Sequence, residues 1–322
     1  MIKRSIAMAA ITALTAGTAF AQSSVTVYGR VNVTAEEQKN IKVDGSQSVL
    51  QNNASRLGFK GVEDLGGGLK AEFLLEHRFN VDTGTVTGDF YAGDSYVGLS
   101  GGFGSIRAGR LTSAAYYATA DWIGMHNHDT GTSEDKLYTY LSSNKNTVSY
   151  LTPSFSGFTV EGSVSAGEGT GDANKVWNLA GNYDGGPLQL GAGYEQNDPG
   201  DKQFAVRGVY TMGAITFGGY YQRSDLDMAG TRDALRGAVM YTMGASEFHV
   251  NVGWADDWSK INDSGATQYT VGYNYNLSKR TKIYAFYTAV DNGNGFSYFG
   301  ATDKNGAVLD PSAFALGVRH NF

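Results

Sequence analysis

From its first strand-like stretch to its last, the chain alternates apolar and polar residues with a period of two. Between Val25 and Thr34, Val25, Val27, Val31 and Val33 share one face with Gly29, and Thr26, Tyr28, Arg30, Asn32 and Thr34 share the other. That period places successive side chains on opposite faces of a β-strand. It is plainest at the end of the chain. There Phe314, Leu316, Val318, His320 and Phe322 are large, and Ala315, Gly317, Arg319 and Asn321 are small or polar. A flat, half-apolar edge strand invites unwanted pairing. The stretch makes sense if it pairs with another strand and closes a sheet.

The same period predicts sixteen strands. After Val25 to Thr34 come Arg56 to Val62, Leu69 to Phe79, Tyr91 to Ser100, Ser105 to Arg110 and Thr147 to Leu151. Phe158 to Ala166, Lys175 to Tyr183, Leu188 to Glu195, Gln203 to Thr211 and Ile215 to Gln222 follow. The last five are Ala234 to Thr242, Glu247 to Trp254, Gln268 to Asn276, Lys282 to Val290 and Phe314 to Phe322. Their connections are predicted to alternate strictly between short turns, such as Gly66-Gly67-Gly68, and long polar loops, the longest being Leu111 to Asn144. Pro153, Pro187, Pro199 and Pro311 all fall in connections, where a missing N–H breaks no ladder. Aromatic residues such as Tyr183, Tyr210, Tyr241, Trp254 and Tyr287 gather near strand ends, as in the girdles of a membrane barrel.

Two further features narrow the class. Lys3 and Arg4, the apolar run Ile6 to Ala16 and the small-x-small Ala19-Phe20-Ala21 read as a secretory signal peptide over residues 1–21. The remaining domain would be 22–322, and loss of Lys3 and Arg4 takes the formal net charge from −6 to about −8. No later run is apolar for the roughly 20 residues that a spanning helix needs. A secreted chain of this pattern is then either soluble or a closed antiparallel barrel, since hydrocarbon requires every backbone group to be paired. With no Cys, disulfides and thiolate metal sites are excluded.

Several stretches resemble the trimeric general porins of Gram-negative outer membranes, in particular the beta-proteobacterial and neisserial type. They are Ser24-Val25-Thr26-Val27-Tyr28-Gly29, Ser55 to Gly66 (SRLGFKGVEDLG), Tyr96-Val97-Gly98-Leu99-Ser100, Phe103-Gly104-Ser105, Gly109-Arg110 and the terminal Gly317 to Phe322. The resemblance implies an all-β, sixteen-stranded transmembrane barrel, a homotrimer, with its third outer loop folded inward. It further implies passive diffusion of small hydrophilic solutes and ions, contact with outer-membrane lipid and lipopolysaccharide, and insertion by the barrel-assembly machinery with Phe322 as signal. The family's basic pore wall matches Arg30, Arg56 and Arg110, and the constricting loop resembles Thr112 to Asn144, with Asp121, Asp129, Glu134 and Asp135. Strict alternation faces Arg30 and Arg56 inward but Arg110 outward, so the resemblance requires a bulge or loop start there. A further basic position of some relatives is Leu151 here.

By alternation the lumen also receives Lys60, Lys70, Arg78, Arg107, Arg207, Arg236, Lys282 and Arg319, against Glu72, Glu76, Asp94, Glu161, Glu195 and Glu247. The expected wall is basic although the chain is acidic, which predicts a weak anion preference through a transverse field. The bland reading is that the arginines only balance inward acids. A solute-specific channel or a surface adhesin remains the alternative. Enzymatic readings are weak. Gly98-Leu99-Ser100-Gly101-Gly102 fits a nucleophile motif but runs from a strand into a hairpin, not into a helix. His126, His128 and Asp129 lack a further ligand at fixed spacing. Gly167-Glu168-Gly169-Thr170-Gly171 has no following helix to make a phosphate cradle. No catalytic group, cofactor, metal or nucleic-acid partner is expected.

Overall fold

Alternation of this kind buries nothing on its own, so each strand must find two neighbours. The computed structural model describes residues 24–123, 131–141, 145–167 and 175–322. The expected signal peptide, His126, His128, Asp129 and 168–171 lie outside the described residues. In chain order the strands are β1 (Ser24–Lys39), β2 (Ser46–Asn52), β3 (Arg56–Gly66), β4 (Leu69–Asn80), β5 (Thr85–Val86) and β6 (Ser95–Gly101). Next come β7 (Gly104–Arg110), β8 (Thr147–Leu151), β9 (Phe158–Ser165), β10 (Val176–Gly185), β11 (Leu188–Asn197) and β12 (Lys202–Met212). The last are β13 (Ile215–Leu226), β14 (Gly230–Met243), β15 (Ser246–Ala255), β16 (Ala266–Asn276), β17 (Thr281–Asn292) and β18 (Ser312–Asn321).

All pairings are antiparallel, and β18 closes on β1 from Arg30↔Asn321 to Lys39↔Ser312. Two of the eighteen strands are not separate staves. β5 is a two-residue ribbon on the end of β4, and β2 and β3 both pair with β1 as halves of one stave. They are separated at Asn53–Ser55, where Ala54 takes a φ of 52° and the Ser55 hydroxyl accepts the Asn32 N–H at 3.0 Å. The described residues thus form a closed sixteen-stranded antiparallel barrel. At the seam, Gly29 and Phe322 exchange backbone hydrogen bonds of 3.0 and 3.1 Å, and the terminal ring lies over Gly29, which has no side chain to obstruct it. No described helix is long and apolar enough to cross a membrane.

The outward face carries large apolar side chains in the open, among them Val97 (62% exposed), Leu316 (56%) and Val271 (53%). An aqueous protein rarely exposes so continuous a band, whereas lipid accepts it. Trp177 and Tyr194 (ring centroids 5.2 Å apart), with Tyr269 and Tyr287, mark its loop end. Phe158 with Tyr183 and Tyr241 with Phe248 mark its turn end.

The expectation of strictly alternating short and long connections is corrected. β11 and β12 are joined through only 198–201, and β13 and β14 through only 227–229. Cross-strand pairs prolong these hairpins past the apolar band. Arg223 meets Asp233 at 2.8 Å, Tyr221 donates to the same carboxylate, and Lys202 meets Asp225 at 3.3 Å. The polar stretch after Thr34 likewise continues as β1 and β2 rather than as a loop.

Candidate functional site

Register determines what the lumen contains. Arg30 lies opposite Arg56, and Arg56 opposite Arg78, so three arginines form one ladder across β1, β3 and β4. Beyond β1, Arg30 faces Asn321, while Arg319 stands opposite both Asn32 and Lys282. Cross-strand partners share a face, so Lys282, Arg319, Arg30, Arg56 and Arg78 make one basic stripe. Among the described residues, the carboxylates of Glu76 and Glu247 lie against it. Glu76 lies 2.9 Å from Arg78 and 3.7 Å from Arg56 and accepts from the Tyr28 hydroxyl at 3.1 Å, and Glu247 lies 4.0 Å from Lys282. Lys60 sits lower, its ammonium 5.3 Å from the Tyr28 ring centroid.

Arg110 stands apart from the ladder. Its Cα partner is Ser95, on the outward phase of β6, and its guanidinium donates to Asp89 at 3.2 Å; Asp89 also meets Lys145. Gly109 takes a φ of 149°, and the β6–β7 register runs through it unshifted to Ser95↔Arg110.

The opposite wall is dry. After β7, the helix α1 (Ala114–Ala118) is capped by Ser113, whose hydroxyl accepts the Tyr116 N–H at 3.2 Å and donates to Glu195. α1 lies against Gly191 and Gly193 of β11, where a Cβ would strike Ala118 and Ala115. Tyr116, Ala120, Ile123 and Tyr138 pack on inward residues of β12–β14, namely Ala205, Val209, Tyr220 and Ala238. The segment 131–141 is tied down by polar contacts as well. The Thr139 N–H donates to Gln222 at 2.8 Å and the Lys136 N–H to Gln268 at 3.1 Å. Arg236 grips Asp135 at 2.7 and 2.8 Å, and Tyr220 donates to the same carboxylate.

The expected pore acids therefore separate. Asp121 is half-buried on a 3-10 turn (Ala120–Trp122). Glu134 is paired with Lys136 at the edge of an outer cleft of about 420 Å³. Asp135 of that loop turns away from the passage: its side chain is 2% exposed and serves as an anchor. Burial alone would raise its carboxyl, but the Arg236 guanidinium and the hydrogen bond from Tyr220 hold it below the usual carboxylate range.

Two inward groups escaped the sequence reading because their strands run on past the expected ends. Glu36 on β1 binds Thr34, Gln38 and Thr132. Arg232 on β14 reaches three loops. The matching charges of Arg223 and Asp233 were the signal that could have found Arg232; Glu36-Glu37-Gln38 is polar on both faces and carries no such signal. Among the described residues no group of three or more His, Asp or Glu is arranged to hold a metal ion. Ser100 pairs with Ser105 inside a hairpin, far from a strand-to-helix elbow.

A closed barrel with a lipid-facing belt and a charged, polar interior is a transmembrane pore. Its sequence matches the family model described as Gram-negative porin over residues 7–295, and the chain belongs to that family. It is 33% identical to outer membrane porin protein 32 of Delftia acidovorans, with both chains fully covered. It is 27% identical to the major outer membrane protein P.IB of Neisseria meningitidis serogroup A, covering 94% of this chain and 95% of that one. The solved anion-selective porin from Comamonas acidovorans superposes with a TM-score of 0.78 at 27% identity, covering 94% of this chain and all of that one. The protein is a multi-pass channel of the Gram-negative outer membrane for passive diffusion, and not an enzyme.

Proposed function

We propose that this channel is weakly anion-preferring, with its constriction between the basic stripe and the loop segment Thr112 to Asn144. The observation that carries this reading is the Arg30–Arg56–Arg78 ladder, flanked by Arg319 and Lys282, which sets five cations in register on one wall. In a narrow, low-dielectric passage such a stripe concentrates anions and repels cations. Arg30 and Arg56 are its basic wall, and Arg78 and Arg319 extend it; Arg110 acts further out, beside Asp89. Glu76 and Lys60 moderate the field. Asp121 and Glu134 supply the opposing charge, and Asp129 belongs to the same segment. The anion selectivity stated for the Comamonas acidovorans porin supports the sign.

Small hydrophilic solutes and ions are the permeants. The working form is a homotrimer, as the Vibrio cholerae OmpT structure described as a trimer form supports for this fold. Outer-membrane lipid and lipopolysaccharide surround it. Residues 1–21 are a signal peptide and 22–322 the porin domain. Phe322, seated on Gly29 at the seam, serves as the signal read by the barrel-assembly machinery. The experiment is a reversal potential across a planar bilayer in a potassium chloride gradient. The expected sign favours chloride by about twofold, the effect of roughly 0.4 kcal/mol. A cation-favouring potential overturns the reading.

A further inference from the structure

The inward face of β14 carries two arginines one helical-turn's count apart in sequence, Arg232 and Arg236, and they do different work. Arg236 ties the segment 131–141 to the barrel wall alone. Arg232 ties it to the outside. Its guanidinium is 4.4 Å from the Trp258 ring centroid and 5.8 Å from that of Tyr298, so both aromatics contact its π-face or edge. Trp258 belongs to the β15–β16 loop (256–265) and Tyr298 to the β17–β18 loop (293–311). The same guanidinium donates to the Tyr298 hydroxyl at 2.7 Å, to the Thr139 hydroxyl at 2.8 Å and to the Leu137 carbonyl. Arg232 is 5% exposed and Trp258 7%.

The two outer loops are also joined to each other at this point. The Ser264 hydroxyl accepts the Trp258 N–H at 2.8 Å, and its carbonyl accepts the Tyr298 hydroxyl at 3.2 Å. Tyr298 and Phe299 pack on the cluster of Leu137, Ala234, Ala255, Ala266 and Val290, and the Lys136 ammonium lies 4.8 Å from the Phe299 ring centroid. One planar cation, with donors in a fixed fork, thus holds three segments that are far apart in sequence. Guanidinium suits this task because it stacks on aromatic faces and donates along its edge at the same time.

We propose that Arg232 is a positioning residue that couples two outer loops to the pore-narrowing segment, so that a disturbance of the loops that carry Trp258 and Tyr298 is felt in the current. The inference rests on the constriction reading given above for Thr112 to Asn144. Coupling of this kind requires shared contacts that hold one arrangement of the segment, and Arg232 supplies them. The Arg236–Asp135 pair keeps the segment in the barrel when Arg232 is lost, so the effect is on its position and fluctuation, not on its presence.

The test uses the full-length protein as single channels in a planar bilayer, with barrel integrity followed by heat-dependent gel mobility. Trp258→Ala and Tyr298→Phe alter outer loops only, and Arg232→Ala removes the connector. The expected result is an increase of about threefold in open-channel current noise for Trp258→Ala and Arg232→Ala, with a smaller rise for Tyr298→Phe. The double variant Arg232→Ala/Trp258→Ala is expected to match Arg232→Ala, since both break one connection. Wild-type noise in folded Trp258→Ala, or additive effects in the double variant, overturns the proposal. Glu134→Gln separates the two readings. If it shifts the reversal potential while Trp258→Ala changes nothing, only the coupling fails; if it shifts nothing, the constriction reading falls and the coupling with it.

Discussion

The two sides of the barrel use arginine in opposite ways. On the β10–β16 side, Arg236 is 4% exposed and each of its three nitrogens has a partner: Asp135 twice, Asn251 and Gln268. On the β1–β4 side, Arg30, Arg56 and Arg78 stand in register with one another, and like charges directly opposite are unfavourable. The first arrangement spends its charge on structure, since a carboxylate and a guanidinium that satisfy each other leave little field outside. The second sets like charges side by side on one wall, with the Glu76 carboxylate shared between Arg78 and Arg56. The difference teaches that lumen charge cannot be counted by residue type. It has to be counted after the pairs have been removed.

The largest effect is expected where that pairing is broken. Arg236→Ala leaves the Asp135 carboxylate buried without its partner, a change that costs about 3–5 kcal/mol. Hydrogen exchange across 131–141 is expected to accelerate while the closed barrel keeps its heat-resistant mobility. Unchanged protection would show that the apolar contacts of Tyr138 and Leu137 hold the segment unaided. Acid probes the same anchor. The folded-state Asp135 carboxyl titrates below its ordinary value, so the pair's contribution is complete above about pH 4 and is lost as pH falls through the depressed value. Protection of 131–141 should therefore survive mild acidification.

Arg56→Glu attacks the other side. It puts an acid in the middle rung of the ladder, and the anion-to-cation permeability ratio is expected to fall about tenfold, equivalent to about 1.4 kcal/mol. Thermal stability should change less than in Arg236→Ala, because the Arg56 side chain is 17% exposed and that of Arg236 only 2%. A large loss of stability with no change of reversal potential would mean that the two sides are alike after all. Glu76→Gln is the smallest step. It removes the carboxylate that Arg56 and Arg78 share. With that buried negative charge removed, a gain in anion preference of about twofold, roughly 0.4 kcal/mol, is expected in the same salt gradient.

Much of the barrel was legible in the chain. The inward phase of Arg30, Arg56, Lys60, Glu76 and Arg78 follows from alternation, and the registers agree with it. The ends of strands were less legible. A strand that leaves the membrane turns polar on both faces, as Arg223, Ser224 and Asp225 do, and then looks like a loop. Hence Glu36 and Arg232 were missed, and two hairpins were drawn with long connections. The roles of the loop acids were not legible at all. Asp135 finds Arg236 at a separation of 101 residues, and no local pattern encodes that partner.

The sequence by itself determined the strand period, the number of staves and the sign of the inward charges, because these depend on neighbours two residues apart and on the solvent each face must meet. Only the tertiary structure decided which charges cancel. That decision rests on contacts between segments far apart in the chain: Asp135 on Arg236, Leu137 and Trp258 on Arg232, Ser113 on Glu195. Electrostatic energy depends on distance and burial in space, and a chain written in order carries neither until the barrel has closed.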